Sequence, residues 1–178
     1  NGVAGVIEID IILKELDKRT APIDVVVVGL GFVSFGFISS LRRFQGIRVP
    51  LVLSRRPEEA RFRLHEAGLK AVFEDNPHKI KDLAAKGYIS VSDNLDLIKT
   101  YENDVILEMT GTVAYGTQAA VRTINAGKHL VTMNPELQAT VGNELKALAD
   151  KHKVLITDII GDQPGSLARL ITQARLMG

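Results

Sequence analysis

Four valines in a row, Val25 to Val28, run into Gly29-Leu30-Gly31, and a stretch of helical composition follows from Val33 to Phe44. The near-continuous apolar run from Asp24 to Val28, bounded by glycine, suits a strand covered on both faces, as strands are in a parallel sheet. This unit constrains the fold more than any other stretch, because the same order of strand, turn and helix recurs along the chain.

Arg48 to Ser54, "RVPLVLS", reads as the second strand, and "RRPEEARFRLHEAG" as a turn entering a helix with proline at its start and glycine at its end. Asn76 to Gly87 has the composition of a polar helix, "YISVSDN" of a strand, Leu95 to Tyr101 of a short helix and Asp104 to Met109 of another strand. Thr112 to Gly127 reads as a helix with a glycine stop, "KHLVTMN" as a strand, Val141 to Lys151 as a helix, "KVLITDI" as a strand and Pro164 to Leu176 as a last helix. Strands thus alternate with helices roughly six times, which favours parallel pairing through right-handed crossovers. The expectation is an α/β fold: a doubly wound parallel sheet of the Rossmann type, helices on both faces, strand order 3-2-1-4-5-6. Ahead of it, within residues 1–23, Ile7, Ile9, Ile12, Leu13 and Leu16 form a helical stripe from Val6 to Lys18 that ends at Thr20-Ala21-Pro22. Its apolar part, Val6 to Leu16, would dock beside the domain or on a second copy, giving a homo-oligomer.

Composition narrows the partners. With 178 residues, 46% hydrophobic, and 22 basic against 21 acidic side chains, the chain describes one soluble domain with a sizeable core and no nucleic-acid-binding arm. The longest apolar run falls short of a bilayer span, and the N-terminus lacks the zones of a secretory signal, so neither membrane nor export is expected. The absence of cysteine excludes disulfides and thiolate metal sites and suits a reducing cytoplasm. His65, His78, His129 and His152 are scattered without helical pairing, so no metal site is expected from them. The chain opens on Asn1 and closes on Met177-Gly178 directly after a helical stretch, as an excised piece would.

Gly29-Leu30-Gly31 stands at the end of a strand and before a helix, the context in which such glycines bind a dinucleotide. The first glycine permits a tight turn, and the second lets a pyrophosphate approach unpaired amides at the helix N-terminus. Phe32 and Val33 would contribute through their backbone there. The third position, normally glycine or alanine, is Ser34, small enough to fit with Gly36 close by. At the second strand end, about 20 residues on, a ribose-binding acid would be expected. The chain has Ser54-Arg55-Arg56 instead. A hydroxyl and two guanidiniums favour a 2′-phosphate over a free 2′-hydroxyl, hence NADP over NAD, unless both arginines merely solvate the turn before Glu58 and Glu59.

Ligands of open α/β sheets lie beyond the carboxyl ends of the strands, and three further loops there are unusual. In "EMTGT", Thr110, Gly111 and Thr112 are able to border the cofactor's ribose or nicotinamide, with a helix cap by Thr112 as the alternative. In "MNPELQATVG", Asn134 is placed to touch the nicotinamide ribose and Glu136 to meet substrate, although Asn-Pro also initiates turns. In "DIIGDQPGSL", Asp162 is a candidate for handling a proton or orienting substrate, or else a helix cap.

"VVVVGLGFVSFG", "EMTGT", "AGKHLVTMNPELQATVG" and "GDQPG" together resemble the N-terminal portion of homoserine dehydrogenase-like oxidoreductases that carry a SAF domain. That group also takes in enzymes similar to 1-deoxy-D-xylulose 5-phosphate reductoisomerase. The resemblance covers nearly the whole chain from Asp24 onward, and "MNPELQATVG" and "GDQPG" carry it more specifically than the glycine turn, where Ser34 departs from the usual glycine. It implies that residues 24–178 form an NAD(P)-binding domain, followed in the full protein by a substrate-binding and catalytic portion. The implied activity is hydride transfer between a nicotinamide and a small alcohol or carbonyl, with rearrangement and reduction of a sugar phosphate as the alternative. Outside the enzymes, a dinucleotide-binding sensor or regulatory module fits the same fold.

Overall fold

The computed structural model describes residues 14–16, 18–41, 46–159 and 163–177. The proposed helix from Val6 to Lys18, and with it the docking stripe, falls mostly outside them, with only residues 14–16 seen as helical. Seven strands are described: β1 (Ile23–Val28), β2 (Ile47–Leu53), β3 (Lys70–Phe73), β4 (Tyr88–Ser92), β5 (Val105–Glu108), β6 (His129–Thr132) and β7 (Ile156–Asp158). Between and after them run α1 (Phe32–Leu41), α2 (Pro57–Glu66), α3 (Pro77–Ala85), α4 (Leu97–Thr100), α5 (Val113–Asn125), α6 (Pro135–His152) and α7 (Gln163–Leu176). The strands form a single sheet in the order β3-β4-β2-β1-β5-β6-β7, and every pairing is parallel.

The valine run explains the two-sided core. Side chains alternate along a strand, so Val26 and Val28 pack with Leu51, Leu53 and Ile106 beneath residues of α5 and α6 such as Ile124 and Leu137. Val25 and Val27 face the opposite layer with Val52, Ile38 of α1 and Leu64 of α2. Val26, Val27 and Val28 are completely buried, and each contributes roughly 1.5–3 kcal/mol relative to exposure. β2 carries Pro50, which has no amide hydrogen for a ladder. The β1–β2 register shifts between Asp24 and Val26, where Asp24 pairs with Arg48 and Val26 with Leu51, so the irregularity falls around the proline.

The strand order expected from the sequence holds for the six strands it considered; the seventh, β3, is an edge strand beyond β4. Its four residues, "KAVF", are too few for a periodic signal, and only Ala71 is fully enclosed. A second difference concerns α6, which begins at Pro135 rather than Val141. Asn134 caps it and Pro135 occupies the first turn, so the Asn-Pro pair opens a helix there instead of a loop.

Candidate functional site

The sheet reverses direction of growth at β1, flanked by β2 and β5, and a crevice opens beyond the carboxyl ends of these strands. Gly29 sits in this gap with φ +93°, and its amide donates to Leu53 O at 2.7 Å. A Cβ at this position would come within 2.8 Å of Thr110 Cα and 2.9 Å of Met109 O, so the turn passes directly against the end of β5. Gly31 is the opposite case: a Cβ there would meet nothing within 4 Å. The first glycine is required by the protein's own backbone, whereas the second keeps open space beside the α1 N-terminus.

Ser34 is 1% exposed and donates to Gly31 O at 3.3 Å. Its hydroxyl is thereby accommodated where helix and strand pack closely. Phe32 is 87% exposed, and Val33 also projects outward, so neither side chain encloses the turn. Substituting Gly31 with valine is expected to remove dinucleotide binding while stability stays within about 1 kcal/mol of the parent. Calorimetric titration beside a thermal melt checks both, and unaltered affinity would remove Gly31 from the site.

A cleft of ≈ 290 Å³ lies between the glycine turn and the start of α2. It brings together Gly29, Leu30, Gly31, Ser54, Arg55, Arg56 and Thr110. Ser54 is almost buried and accepts from the Arg56 amide at 3.2 Å, holding the turn after β2. Arg56 pairs with Glu59 at 3.1 Å, and the Arg55 guanidinium stands 5.2 Å from the Tyr115 ring centroid. Burial raises the Tyr115 phenol above its ordinary pKa, against an opposing effect of Arg55, so this ring faces the guanidinium uncharged at neutral pH. The cleft has the features a dinucleotide's adenosine half needs: a Cβ-free approach at Gly31, a helix N-terminus and guanidiniums at the second strand end.

Beside the cleft lies a buried polar cluster centred on Glu108, which is 0% exposed at the end of β5. Its Oε1 accepts from the Thr110 amide at 2.9 Å, Thr110 Oγ1 at 2.5 Å and Asn134 Nδ2 at 3.2 Å. Its Oε2 accepts from Thr132 Oγ1 at 2.8 Å. Asn134 is likewise 0% exposed, and its Oδ1 accepts from the Leu137 amide at 3.1 Å, capping α6. Asn134 therefore faces inward, with both ends of its amide engaged by the protein.

Thr112 occupies the cap position of α5 without a capping side-chain bond. Its carbonyl accepts from the Gly116 amide at 3.0 Å, while its hydroxyl is buried with no hydrogen-bond partner among the described residues. The alternative that its hydroxyl caps the helix is thus corrected: the hydroxyl makes no bond to the first-turn amides. Gly111 has φ +63° and is exposed at the bend of the loop. Glu136 is exposed in the first turn of α6 and does not line the cleft. Asp162 lies outside the described residues. Among the described residues no group of three or more histidines, aspartates or glutamates is arranged to hold a metal ion. No described helix is long and apolar enough to cross a membrane.

The family model for the homoserine dehydrogenase NAD-binding domain matches residues 29–157, from the first glycine of the turn into β7. The chain belongs to that family. It is similar to the homoserine dehydrogenase of Neisseria gonorrhoeae, 29% identical over 136 residues, which is 76% of this chain and 28% of the relative. It is 26% identical over 137 residues to that of Lactococcus lactis, covering 72% of this chain and 29% of the relative. The crystal structure of a homoserine dehydrogenase from Thiobacillus denitrificans aligns with a TM-score of 0.54 and 28% identity over 77% of this chain and 29% of that one. The chain spans less than a third of the length of the curated relatives it matches.

Within this homoserine dehydrogenase-type NAD-binding domain the structure adds Glu59, Ala60, Arg63 and Tyr115 to the cleft. Arg63 follows Arg56 by two helical turns and lies on the same face of α2, a periodicity that was available in the sequence. Tyr115 stands in the first turn of α5, directly after the loop already singled out. In the sequence Glu108 reads only as the end of a strand. An acid inside an apolar parallel strand, with threonines at its end and on the neighbouring strand, was the signal for a buried acceptor.

Proposed function

We propose that this chain is the cofactor-binding domain of an NADP(H)-dependent oxidoreductase acting on homoserine or aspartate semialdehyde. The observation that carries the NADP preference is the second strand end, where Ser54, Arg55 and Arg56 line the cleft in place of an acid. Homoserine dehydrogenase chemistry, rather than sugar-phosphate rearrangement or a non-catalytic sensor, is supported by the names of both curated relatives.

When bound, the cofactor exchanges a hydride with a small alcohol or carbonyl. The protein's part is binding and orientation. Leu30, Gly31, Phe32 and Val33 receive the pyrophosphate through backbone amides and the positive end of α1, and Gly29, whose own amide is engaged by Leu53 O, shapes the turn that presents them. Ser54, Arg55 and Arg56 receive the adenosine phosphate. Thr110, Gly111 and Thr112 border the nicotinamide half, and Asn134 supports them from beneath by its bond to Glu108 rather than by touching the ribose. Glu136 and Asp162 are proposed to face substrate at the same edge, with the remaining substrate-handling groups in the rest of the protein. A cytoplasmic setting fits such a metabolic role.

Calorimetric titration with NADP⁺ and NAD⁺ tests this reading. The chain is expected to bind NADP⁺ more tightly, and Arg55→Ala/Arg56→Ala to weaken NADP⁺ about tenfold or more. Equal affinity for the two cofactors would remove the NADP preference, and absence of binding to either would remove the cleft as a complete site in this chain.

A further inference from the structure

Resting on the reading that the cleft holds the adenosine half of NADP, we infer that Arg63 is the principal guanidinium gripping the 2′-phosphate. The three arginines of the cleft have different occupations. Arg56 is paired with Glu59 at 3.1 Å, and its side chain is 79% exposed. Its charge is therefore partly compensated, and its motion must be arrested on binding. Arg55 is held against the Tyr115 ring, 5.2 Å from the centroid, which presents it as a flat stacking surface.

Arg63 is poised differently. Its Nη1 donates to Leu30 O at 3.3 Å, and its Cζ stands 6.0 Å from the Phe35 ring centroid. These contacts tie the head to the residue between the two glycines of the turn. Among the described residues it has no carboxylate partner. A guanidinium carries five N–H donors in a fixed fork, and one bond to Leu30 leaves the others for a phosphate. Anchoring also lowers the ordering cost of binding compared with the exposed Arg56. The residue recognises a ribose phosphate monoester lodged between the glycine turn and Ser54, rather than the pyrophosphate shared by both cofactors.

The test titrates the chain with NADP⁺, NAD⁺ and 2′,5′-ADP as parent, Arg63→Ala, Arg63→Lys and Arg55→Ala/Arg56→Ala, with a thermal melt on each. Arg63→Ala is expected to weaken NADP⁺ and 2′,5′-ADP about tenfold to a hundredfold while NAD⁺ affinity is little changed. Arg63→Lys should recover part of the loss. Retained NAD⁺ binding shows that the cleft is intact, so the result does not reduce to misfolding. An Arg63→Ala chain that keeps its NADP⁺ preference, with the preference lost only in the Arg55/Arg56 variant, overturns this inference and leaves the NADP reading standing. Equal loss of both cofactors in Arg63→Ala overturns it in favour of a structural or pyrophosphate role. A parent chain that does not distinguish the cofactors overturns both.

Discussion

Replacing Gly29 with valine is expected to cost about 3–5 kcal/mol, a large part of the roughly 5–15 kcal/mol that stabilises an ordinary domain. Two independent penalties add. The backbone is at φ +93°, where a side chain collides with its own peptide, and such strain costs roughly 1–3 kcal/mol. A Cβ would also stand 2.8 Å from Thr110 Cα, and overpacking of this kind costs typically another 1–3 kcal/mol. Relief by local movement is resisted because the backbone met there directly follows β5, which is tied to β1: Val28 pairs with Glu108, and the Met109 amide donates to Val28 O at 2.9 Å. Urea denaturation monitored by circular dichroism measures the effect. Gly31→Val serves as the control, since the same three-residue turn leaves open space for a side chain there. A Gly29→Val chain with the parent's midpoint would mean that the turn relaxes freely, and the close approach would lose its significance.

The contrast between these two glycines shows how far the sequence could be read. The pattern of a strand, a glycine turn and a helix was legible because β-branched residues and glycine act locally, and the six strands with the strongest apolar runs fell into the expected order for the same reason. Which glycine the backbone requires and which it leaves open depends on what β5 places beside them, and that is tertiary information. Lys70–Phe73 escaped because an edge strand can be stable with one enclosed side chain and no long run. Asn134 carries two meanings in the sequence, a ribose contact or a turn initiator, and that it caps a helix follows only from the continuation of α6 back to Pro135. At the cleft, Ser54, Arg55 and Arg56 were legible from their distance to the glycine turn. Arg63 shares the helical periodicity of Arg56, but its bond to Leu30 across 33 positions of sequence is tertiary information.

The second large effect is expected at Glu108. Truncation to alanine removes the acceptor on which the Thr110 amide and hydroxyl, the Thr132 hydroxyl and the Asn134 amide converge. Each donor left buried without a partner costs about 1–3 kcal/mol, partly offset by rotation of the hydroxyls, so a net loss of about 3–5 kcal/mol is expected for Glu108→Ala. Glutamine discriminates between hydrogen bonding and charge. Its carbonyl can take the Oε1 position facing Thr110 and Asn134, and its amide can donate to the Thr132 hydroxyl, which turns to accept. If shape and hydrogen bonding dominate, Glu108→Gln loses only about 1 kcal/mol. The cluster ties the end of β5 to that of β6 and the cap of α6, so its loosening should be felt on the nicotinamide side of the crevice. Glu108→Gln is therefore expected to weaken intact dinucleotide binding more than binding of 2′,5′-ADP, which occupies the adenosine half alone. Uniform weakening of both ligands would show that Glu108 supports the fold as a whole. An unchanged denaturation midpoint in Glu108→Ala would show that the four donors find other partners.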